Sequence, residues 1–175
     1  YSTIDINMQG VAHHALLREL EEYEAHHGTV VVLETKTGEI KAMANLARTS
    51  LGTYYEKRNY AVWEAQEPGS TYKLMTLVAA LEDKVVDTSD VFDTDGGRVL
   101  YYDRAVRDSR FGGYGEISVA RAFEVSSNTV FSKFITQGYQ HNPEKFVNRL
   151  SYMGLNDRIG LDIKGEGRPH IPHPD

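Results

Sequence analysis

The chain of 175 residues, 41% of them hydrophobic, is long enough to bury one hydrophobic core. Its formal net charge of -6 argues against a protein whose main task is to hold nucleic acid or an anionic membrane surface, because both need a basic face. The absence of cysteine excludes a disulfide framework, a thiolate metal site and a cysteine nucleophile. The composition therefore predicts one domain, or a large part of one, that acts on small or peptide-like partners.

The first third of the chain predicts a helix followed by a β-hairpin. Apolar residues recur at three-to-four spacing after Asp5, which is expected to cap an amphipathic helix of about five turns. The run 29–33 is β-branched and apolar, which predicts a buried strand. The sequence Lys-Thr-Gly at 36–38 predicts a turn into a second strand at 39–46. Residues 47–67 are polar and aromatic and are predicted to form a loop across an edge of the sheet.

The rest of the chain predicts helices separated by an irregular excursion. The apolar spacing after Ser70 indicates a helix that is apolar around most of its circumference and therefore central. Residues 83–117 lack a lasting period, but their aromatic residues predict an ordered excursion with a few short strands. Helical spacing returns on both sides of a break at 126–128, and another helix is expected after Pro143. The proline-rich tail, 168–175, has no predicted regular structure.

Ser70 opens the second predicted helix, and Lys73 follows it three residues later. Residues three apart lie on one helix face, so the amine can approach the hydroxyl and act as its base where burial lowers the pKa of the lysine. The N–H groups at a helix start can also meet a developing oxyanion. A lone S-x-x-K is ordinary, since a capping serine followed by a solvent-facing lysine has the same spelling. This one is the only S-x-x-K in the chain, and Pro68-Gly69 precedes it.

A second polar group, Ser126-Ser127-Asn128, interrupts the later helical pattern. Ser126 and Asn128 are two residues apart, so in an extended turn both side chains could face one cleft. A hydroxyl there can pass protons, and a carboxamide can accept from a lysine and donate to a substrate carbonyl. Serine and asparagine are also ordinary helix caps, so the ordered combination of S-x-x-K and then S-x-N carries the prediction.

These motifs resemble those of class B penicillin-binding proteins, with the division-specific transpeptidases as the nearest likeness. Residues 67–73, Glu-Pro-Gly-Ser-Thr-Tyr-Lys, resemble the nucleophile motif, although the family more often has phenylalanine at the tyrosine position. Residues 126–128 resemble the second motif. Residues 37–44 resemble the first hairpin of the transpeptidase domain, and 58–62 resemble the approach to the nucleophile.

The resemblance implies an α+β fold of the penicillin-binding protein and β-lactamase type, an antiparallel sheet flanked by helices. It implies a peptidoglycan D,D-transpeptidase that crosslinks D-Ala-D-Ala stem peptides and is a target of β-lactams. Ser70 would be the nucleophile, Lys73 the base, Ser126 a proton relay and Asn128 the residue that orients Lys73. Ser70, Ser126 and Asn128 would also contact the substrate.

The family's third motif, Lys-Thr-Gly or Lys-Ser-Gly, follows S-x-N and lines the site. Here Lys-Thr-Gly occurs at 36–38, before Ser70, where it is predicted to be only a hairpin turn. Neither spelling occurs after Asn128. Residues 1–175 are therefore predicted to be a partial transpeptidase domain that is a weak catalyst or inactive by itself.

Two other functions remain open from the sequence. One is a β-lactamase or β-lactam sensor of the same superfamily, and the other is a catalytically silent scaffold that binds division partners. No cofactor or metal is expected: the adjacent His13 and His14 have no histidine partner three or four residues away, and the acidic residues do not form a calcium loop. The resemblance implies other cell-wall and division proteins as partners, no nucleic acid, and a place at the extracytoplasmic face of the inner membrane. The membrane anchor would lie outside these residues.

Overall fold

The computed structural model describes residues 2–174, which form two compact units. Unit 1 contains the chain up to Gln66 together with Arg158–Arg168, and unit 2 contains Glu67–Asp157 and the tail from Pro169. Tyr1 and Asp175, which the domain prediction includes, lie outside the described residues. No helix in the described part of the chain is both long enough and apolar enough to cross a lipid bilayer.

Unit 1 is a helix packed on an antiparallel three-stranded sheet with the strand order β1-β2-β3. Its elements are α1 (Ile6–Glu22), β1 (His27–Leu33), β2 (Ile40–Arg48), β3 (Tyr54–Tyr55) and the one-turn helix α2 (Tyr60–Trp63).

Helix α1 forms where the apolar spacing predicted it. The Asp5 side chain accepts hydrogen bonds from the N–H groups of Asn7 and Met8, at 2.9 and 3.0 Å, and so caps the first turn. Leu16 and Leu20 are buried and pack with apolar residues of β2. The predicted helix and its cap are therefore confirmed.

Strand β1 is less buried than predicted. Among the described residues it pairs only with β2, and its side chains alternate in exposure, with Val31 and Leu33 exposed by 39% and 56%. The two-sided burial lies instead on the second half of β2, where Ala44 and Leu46 on one face are at most 1% exposed, and Asn45 and Ala47 on the other face are at most 5% exposed. The apolar run alone could not show this, because it does not state how many neighbours a strand has.

The hairpin prediction is confirmed, but the loop predicted at 47–67 is wrong. The hairpin turn places Gly38 at a φ of 77°, a conformation that glycine adopts without strain. Strand β2 continues to Arg48, and β3 and α2 both form within the supposed loop. Short elements of two and four residues leave no detectable period in a sequence.

Unit 2 contains helices and two separate antiparallel strand pairs. One pair is β4 with β7, and the other is β5 with β6. Its elements are a 3₁₀ turn (Gly69–Tyr72), α3 (Lys73–Glu82), β4 (Val91–Asp93), a second 3₁₀ turn (Asp95–Gly97), β5 (Arg98–Tyr101), β6 (Arg104–Arg107), β7 (Glu116–Ser118), α4 (Val119–Glu124), α5 (Asn128–Tyr139) and α6 (Pro143–Tyr152). The ordered excursion with short strands and the helix at Pro143 are confirmed. The described tail has no regular structure.

The core of unit 2 lies where α3, α4 and α5 meet. Leu77 of α3, Ala122 of α4, and Val130 and Phe134 of α5 belong to one buried cluster. Helix α3 is not enclosed on every side, because Leu74 is 46% exposed. The predicted central position of this helix is therefore confirmed by Leu77 and Ala80 in the core, whereas its first turn is partly exposed at Leu74.

A buried ion pair joins α3 to α6. The Asp83 side chain is 1% exposed and accepts from Arg149 Nε at 2.9 Å and from the Tyr139 hydroxyl at 2.9 Å. We expect Arg149→Ala to lower the free energy of unfolding by clearly more than a surface pair contributes, because the enclosed Asp83 carboxylate would keep only the Tyr139 hydroxyl as a donor, with Lys145 Nζ 4.0 Å away. In the matched variant, Arg121→Ala, an exposed pair is removed and the loss should be below about 1 kcal/mol. Urea unfolding of the two variants tests this difference, and equal losses would contradict it.

The same pair predicts a pH dependence of stability. Burial would raise the pKa of Asp83, but hydrogen bonds from Arg149 and Tyr139, with the positive charges of Arg149 and Lys145, lower it overall. A carboxyl with a depressed pKa stabilises the fold above its unfolded pKa, near 4, and this contribution is lost as pH falls through the lower folded pKa. We expect acid titration of Arg149→Ala to show a smaller loss of stability over this range than the parent chain. An equal loss would assign it to other groups.

Candidate active site

The chain reverses sharply just before Ser70. Gly69 has a φ of 60°, and residues 69–72 form a 3₁₀ turn that leads directly into α3 at Lys73. Side chains three residues apart eclipse one another in a 3₁₀ helix, so Lys73 lies over Ser70, and Lys73 Nζ is 3.4 Å from Ser70 Oγ. The sequence predicted that Ser70 opens the α-helix, and this is wrong. Ser70 belongs to the 3₁₀ turn that precedes α3. Its side chain is exposed, and Lys73 is half-buried.

The Ser126–Asn128 segment is a junction between two helices. The N–H of Ser127 donates to Ala122 O and that of Ser126 to Phe123 O, the two bonds of a Schellman motif that ends α4. Ser127 Oγ then accepts from Val130 N–H and begins α5. The middle serine is thus the structural cap, which leaves the flanking Ser126 and Asn128 side chains available for Lys73.

Ser126 occupies the position where a Schellman motif usually has glycine, and its φ is 57°. A left-handed conformation costs an L-residue about 1 kcal/mol. We therefore expect Ser126→Gly to be about 1 kcal/mol more stable than Ser126→Ala, since both lack the hydroxyl and only glycine relieves the strain. Urea unfolding measures the difference.

Ser132, within α5, provides the matched control for this comparison. There glycine should be about 1 kcal/mol less stable than alanine, because glycine weakens a helix interior. Finding the same order at both positions would contradict the strain assigned to Ser126.

The four predicted residues meet at the Lys73 amine. Lys73 Nζ is 2.6 Å from Ser126 O, 2.9 Å from Ser126 Oγ and 2.5 Å from Asn128 Oδ1, besides its contact with Ser70 Oγ. The amine of Lys73, at the start of α3, thereby contacts Ser126 and Asn128 at the α4–α5 junction, which are 53 and 55 residues away in the sequence. The structure places all four predicted site residues within one cluster.

The chemistry of these contacts fixes the direction of the amine. Ser126 O and Asn128 Oδ1 can only accept, so each takes one proton of Lys73 Nζ. The remaining position of the nitrogen faces the hydroxyls of Ser70 and Ser126. In the ammonium form that position carries a proton for a hydroxyl oxygen, and in the neutral amine it is a lone pair that can accept a hydroxyl proton. The arrangement can therefore move a proton between two serines.

The surroundings of Lys73 lower the pKa of its amine below the ordinary lysine value. Burial lowers the pKa of Lys73, and the negative charge of Asp108 opposes part of this effect. An amine with a lowered pKa is neutral in a larger fraction of molecules near neutral pH, which a general base requires.

Asn128 is oriented from two directions. Its Nδ2 donates to Arg107 O at 2.8 Å, and because that carbonyl can only accept, the amide oxygen must face Lys73. One Nδ2 proton is thereby used and the second can reach a substrate. Asn128 is exposed, as is Ser70, so the cluster opens to solvent.

Asp108 also faces the cluster, although the sequence assigned it no site role. Its carboxylate accepts hydrogen bonds from Ser127 and from Thr129, the two neighbours of Asn128. In the sequence Asp108 is one of several acidic residues that do not form a calcium loop. Its partners are 19 and 21 residues away, so no short motif could have identified it.

The other polar features considered in the sequence lie outside the cluster. The Lys-Thr-Gly at 36–38 belongs to the β1–β2 turn of unit 1, where Thr37 Oγ1 donates to Glu34. Within residues 2–174, no group of three or more histidine, aspartate or glutamate residues is arranged to hold a metal.

Comparison with known proteins gives a family match and structural neighbours. Residues 28–172 match the family model described as penicillin binding protein transpeptidase domain. The chain is 28% identical over 171 residues to stage V sporulation protein D of Bacillus subtilis, covering 94% of the chain and 26% of that relative. It is 32% identical over 169 residues to the probable peptidoglycan D,D-transpeptidase PenA of Neisseria gonorrhoeae, covering 94% of the chain and 28% of that relative.

Solved structures have the same architecture. A peptidoglycan glycosyltransferase from Burkholderia ambifaria superposes with a TM-score of 0.81 at 25% identity, over 98% of this chain and 50% of that one. Penicillin-binding protein 3 from Mycobacterium tuberculosis superposes with a TM-score of 0.77 at 25% identity, over 97% of this chain and 38% of that one. These superpositions confirm the predicted α+β fold. The chain spans about a quarter of the length of the two curated relatives.

Proposed function

Because the chain belongs to the penicillin-binding protein transpeptidase family, we propose that the full-length protein is a serine-type peptidoglycan D,D-transpeptidase that uses Ser70 as nucleophile. The family predicted from the sequence motifs is thereby confirmed. The observation that carries the proposal is the position of Lys73 Nζ, within 3.4 Å of Ser70 Oγ and in contact with Ser126 and Asn128.

The first step forms an acyl-enzyme. Neutral Lys73 takes the proton of Ser70 Oγ while the oxygen attacks the penultimate D-Ala carbonyl of a stem peptide. The carbonyl electrons move to an oxyanion, which N–H groups at the start of the helix can stabilise. When the oxyanion collapses, the C–N bond breaks, and Ser126 passes the proton from Lys73 to the leaving D-Ala amine. Lys73 is then neutral again.

The second step transfers the acyl group to an amine of a neighbouring stem peptide. The amine attacks the Ser70 ester, its proton passes to the cluster, and Ser70 Oγ leaves with a proton as the new amide forms. Asn128 supports both steps, because its Oδ1 holds Lys73 and its free Nδ2 proton can bind the substrate carbonyl. A β-lactam acylates the same serine when its ring amide opens.

In the full-length protein the third family motif would provide the rest of the site. In the family this strand supplies a second oxyanion donor and a cationic contact for the substrate carboxylate, and no Lys-Thr-Gly or Lys-Ser-Gly occurs after Asn128. We therefore expect residues 1–175 alone to be acylated slowly or not at all. The full-length protein would act at the extracytoplasmic face of the inner membrane with other cell-wall and division proteins.

The experiment is a crosslinking assay with the full-length protein. It receives a stem pentapeptide ending in D-Ala-D-Ala and an acceptor stem with a free amine, and the release of D-Ala and the crosslinked product are measured. We expect both products from the parent protein and neither from Ser70→Ala. Equal product from Ser70→Ala would contradict the proposal.

Two further outcomes would support the alternatives. Rapid multiple turnover of a penicillin without crosslinking would indicate a β-lactamase. A protein that is never acylated, and whose Ser70→Ala variant sustains normal growth and crosslinking, would indicate a scaffold.

A further inference from the structure

We infer that Asp108 is a positioning residue that holds the Ser126–Asn128 junction against Lys73. The inference rests on the proposed function, since its consequence is the rate at which Ser70 is acylated. It concerns a residue outside the sequence motifs, at the end of strand β6.

Asp108 accepts hydrogen bonds from the residues on both sides of Asn128. Its Oδ1 accepts from Thr129 N–H at 3.0 Å and its Oδ2 accepts from Thr129 Oγ1 at 2.9 Å. Ser127 Oγ donates to the same carboxylate at 3.1 and 3.2 Å. Ser127 and Thr129 are fully buried, so each hydroxyl needs a hydrogen-bond partner within the protein. Water cannot take the place of the Asp108 carboxylate there without a cost in free energy.

The residue before Asp108, Arg107, contacts Asn128 itself. Arg107 O accepts from Asn128 Nδ2, so two consecutive residues, 107 and 108, contact three consecutive residues at the helix junction. Arg107 sets the orientation of the Asn128 amide, and Asp108 sets the backbone that carries it. Ser126 precedes Ser127 directly, and its strained conformation is held between this contact and Lys73.

Asp108 is itself attached to a closely packed segment outside residues 126–128 of the α4–α5 junction. Its N–H donates to Gly97 O at 3.0 Å. Gly97 lies against Gly113 so closely that a Cβ on Gly97 would be 2.8 Å from Gly113 N, and both glycines have positive φ. Thr94, which is fully buried, accepts from Tyr114 N–H and donates to Gly115 O in the same segment. The carboxylate can therefore act as a fixed point for the junction.

Asp108 also acts on Lys73 through charge. The side chains that face Lys73 Nζ from the neighbouring elements are neutral: Ser70, Ser126, Asn128 and the ring of Phe131, whose centroid is 5.6 Å away. Within residues 2–174, Asp108 is the charged group that raises the pKa of Lys73 against the effect of burial. Removing this charge should make Lys73 easier to deprotonate, whereas a change in scaffold stability alone would leave its pKa unaltered.

The test measures the rate of Ser70 acylation by a fluorescent penicillin as a function of pH, with the full-length protein. Asp108→Ala removes the acceptor and should slow acylation at least tenfold on the high-pH plateau, where Lys73 is neutral in the parent as well. Asp108→Asn keeps one acceptor oxygen and can donate to the hydroxyls of Ser127 or Thr129, so at high pH its rate should be within about threefold of the parent. Its acid limb should move to lower pH, because acylation needs neutral Lys73.

The controls separate positioning from general stability. Asp103→Ala changes an exposed carboxylate at the tip of the same hairpin and should alter neither rate nor pH profile. Thr129→Val removes one donor to Asp108 and leaves Asp108 in place. It should therefore show part of the loss in acylation rate even if Asp108→Ala fails to fold. A parent-like acylation rate in a folded Thr129→Val variant would overturn the inference. So would a parent-like rate and profile in both Asp108 variants, or an Asp108→Ala loss explained by its unfolded fraction. A parent protein that is never acylated at Ser70 would instead refute the proposed function.

Discussion

Lys73→Arg in the full-length protein is expected to slow acylation of Ser70 by a penicillin by about 10³-fold at neutral pH. Arginine keeps the positive charge but stays protonated at any pH where the protein is folded, so it cannot take the Ser70 proton. Its planar head group also cannot reproduce the four contacts that the Lys73 amine makes. Stopped-flow acylation kinetics measure the effect.

The matched control is Lys133→Arg on α5. Lys133 forms an ion pair with Asp95, and arginine can keep it. Its acylation rate should equal that of the parent. A Lys73→Arg variant that loses less than tenfold would show that another group deprotonates Ser70.

Asn128→Asp is expected to slow acylation by about 10²-fold at neutral pH, although the side chain keeps its size. The new carboxylate lies beside the Lys73 amine and raises its pKa, so fewer molecules hold the neutral base. The same change takes away the donor to Arg107 O and leaves two acceptors facing each other. The loss of a substrate donor adds to the effect.

The pH profile distinguishes these contributions. A raised pKa of Lys73 moves the acid limb of the acylation profile to higher pH, whereas a lost substrate contact lowers the plateau without moving the limb. Asn148→Asp on α6, an exposed position, adds the same charge and should leave both unchanged. A parent-like profile for Asn128→Asp would contradict the contact between Asn128 and Lys73.

The chemistry of the candidate site was predictable because its signals are local. Ser70 and Lys73 are three residues apart, and this spacing predicted that they share one face. For Ser126 and Asn128 the sequence predicted a shared cleft only if they lay in an extended turn, whereas Ser126 has a left-handed conformation at the end of α4. The contact between the pairs spans 53 and 55 residues, and it was predicted only through the resemblance to a family that has both motifs.

The parts that the sequence did not predict depend on distant neighbours. The exposure of β1 is set by which strands pair with it, and an apolar run does not state that number. Asp108 resembles the other acidic residues of its segment until the fold brings Ser127 and Thr129 to it. The residues around Ser70 form a 3₁₀ turn rather than an α-helix, and the tighter winding places the Lys73 side chain over the Ser70 hydroxyl.

The most direct measurement of the central claim is peptide mapping by mass spectrometry after brief exposure of the full-length protein to a labelled penicillin. One acyl adduct on the peptide that contains residue 70, absent from Ser70→Ala and nearly absent from Lys73→Arg, is the predicted result. An adduct on another residue, or the same yield on this peptide when the amine at position 73 is replaced, would contradict it.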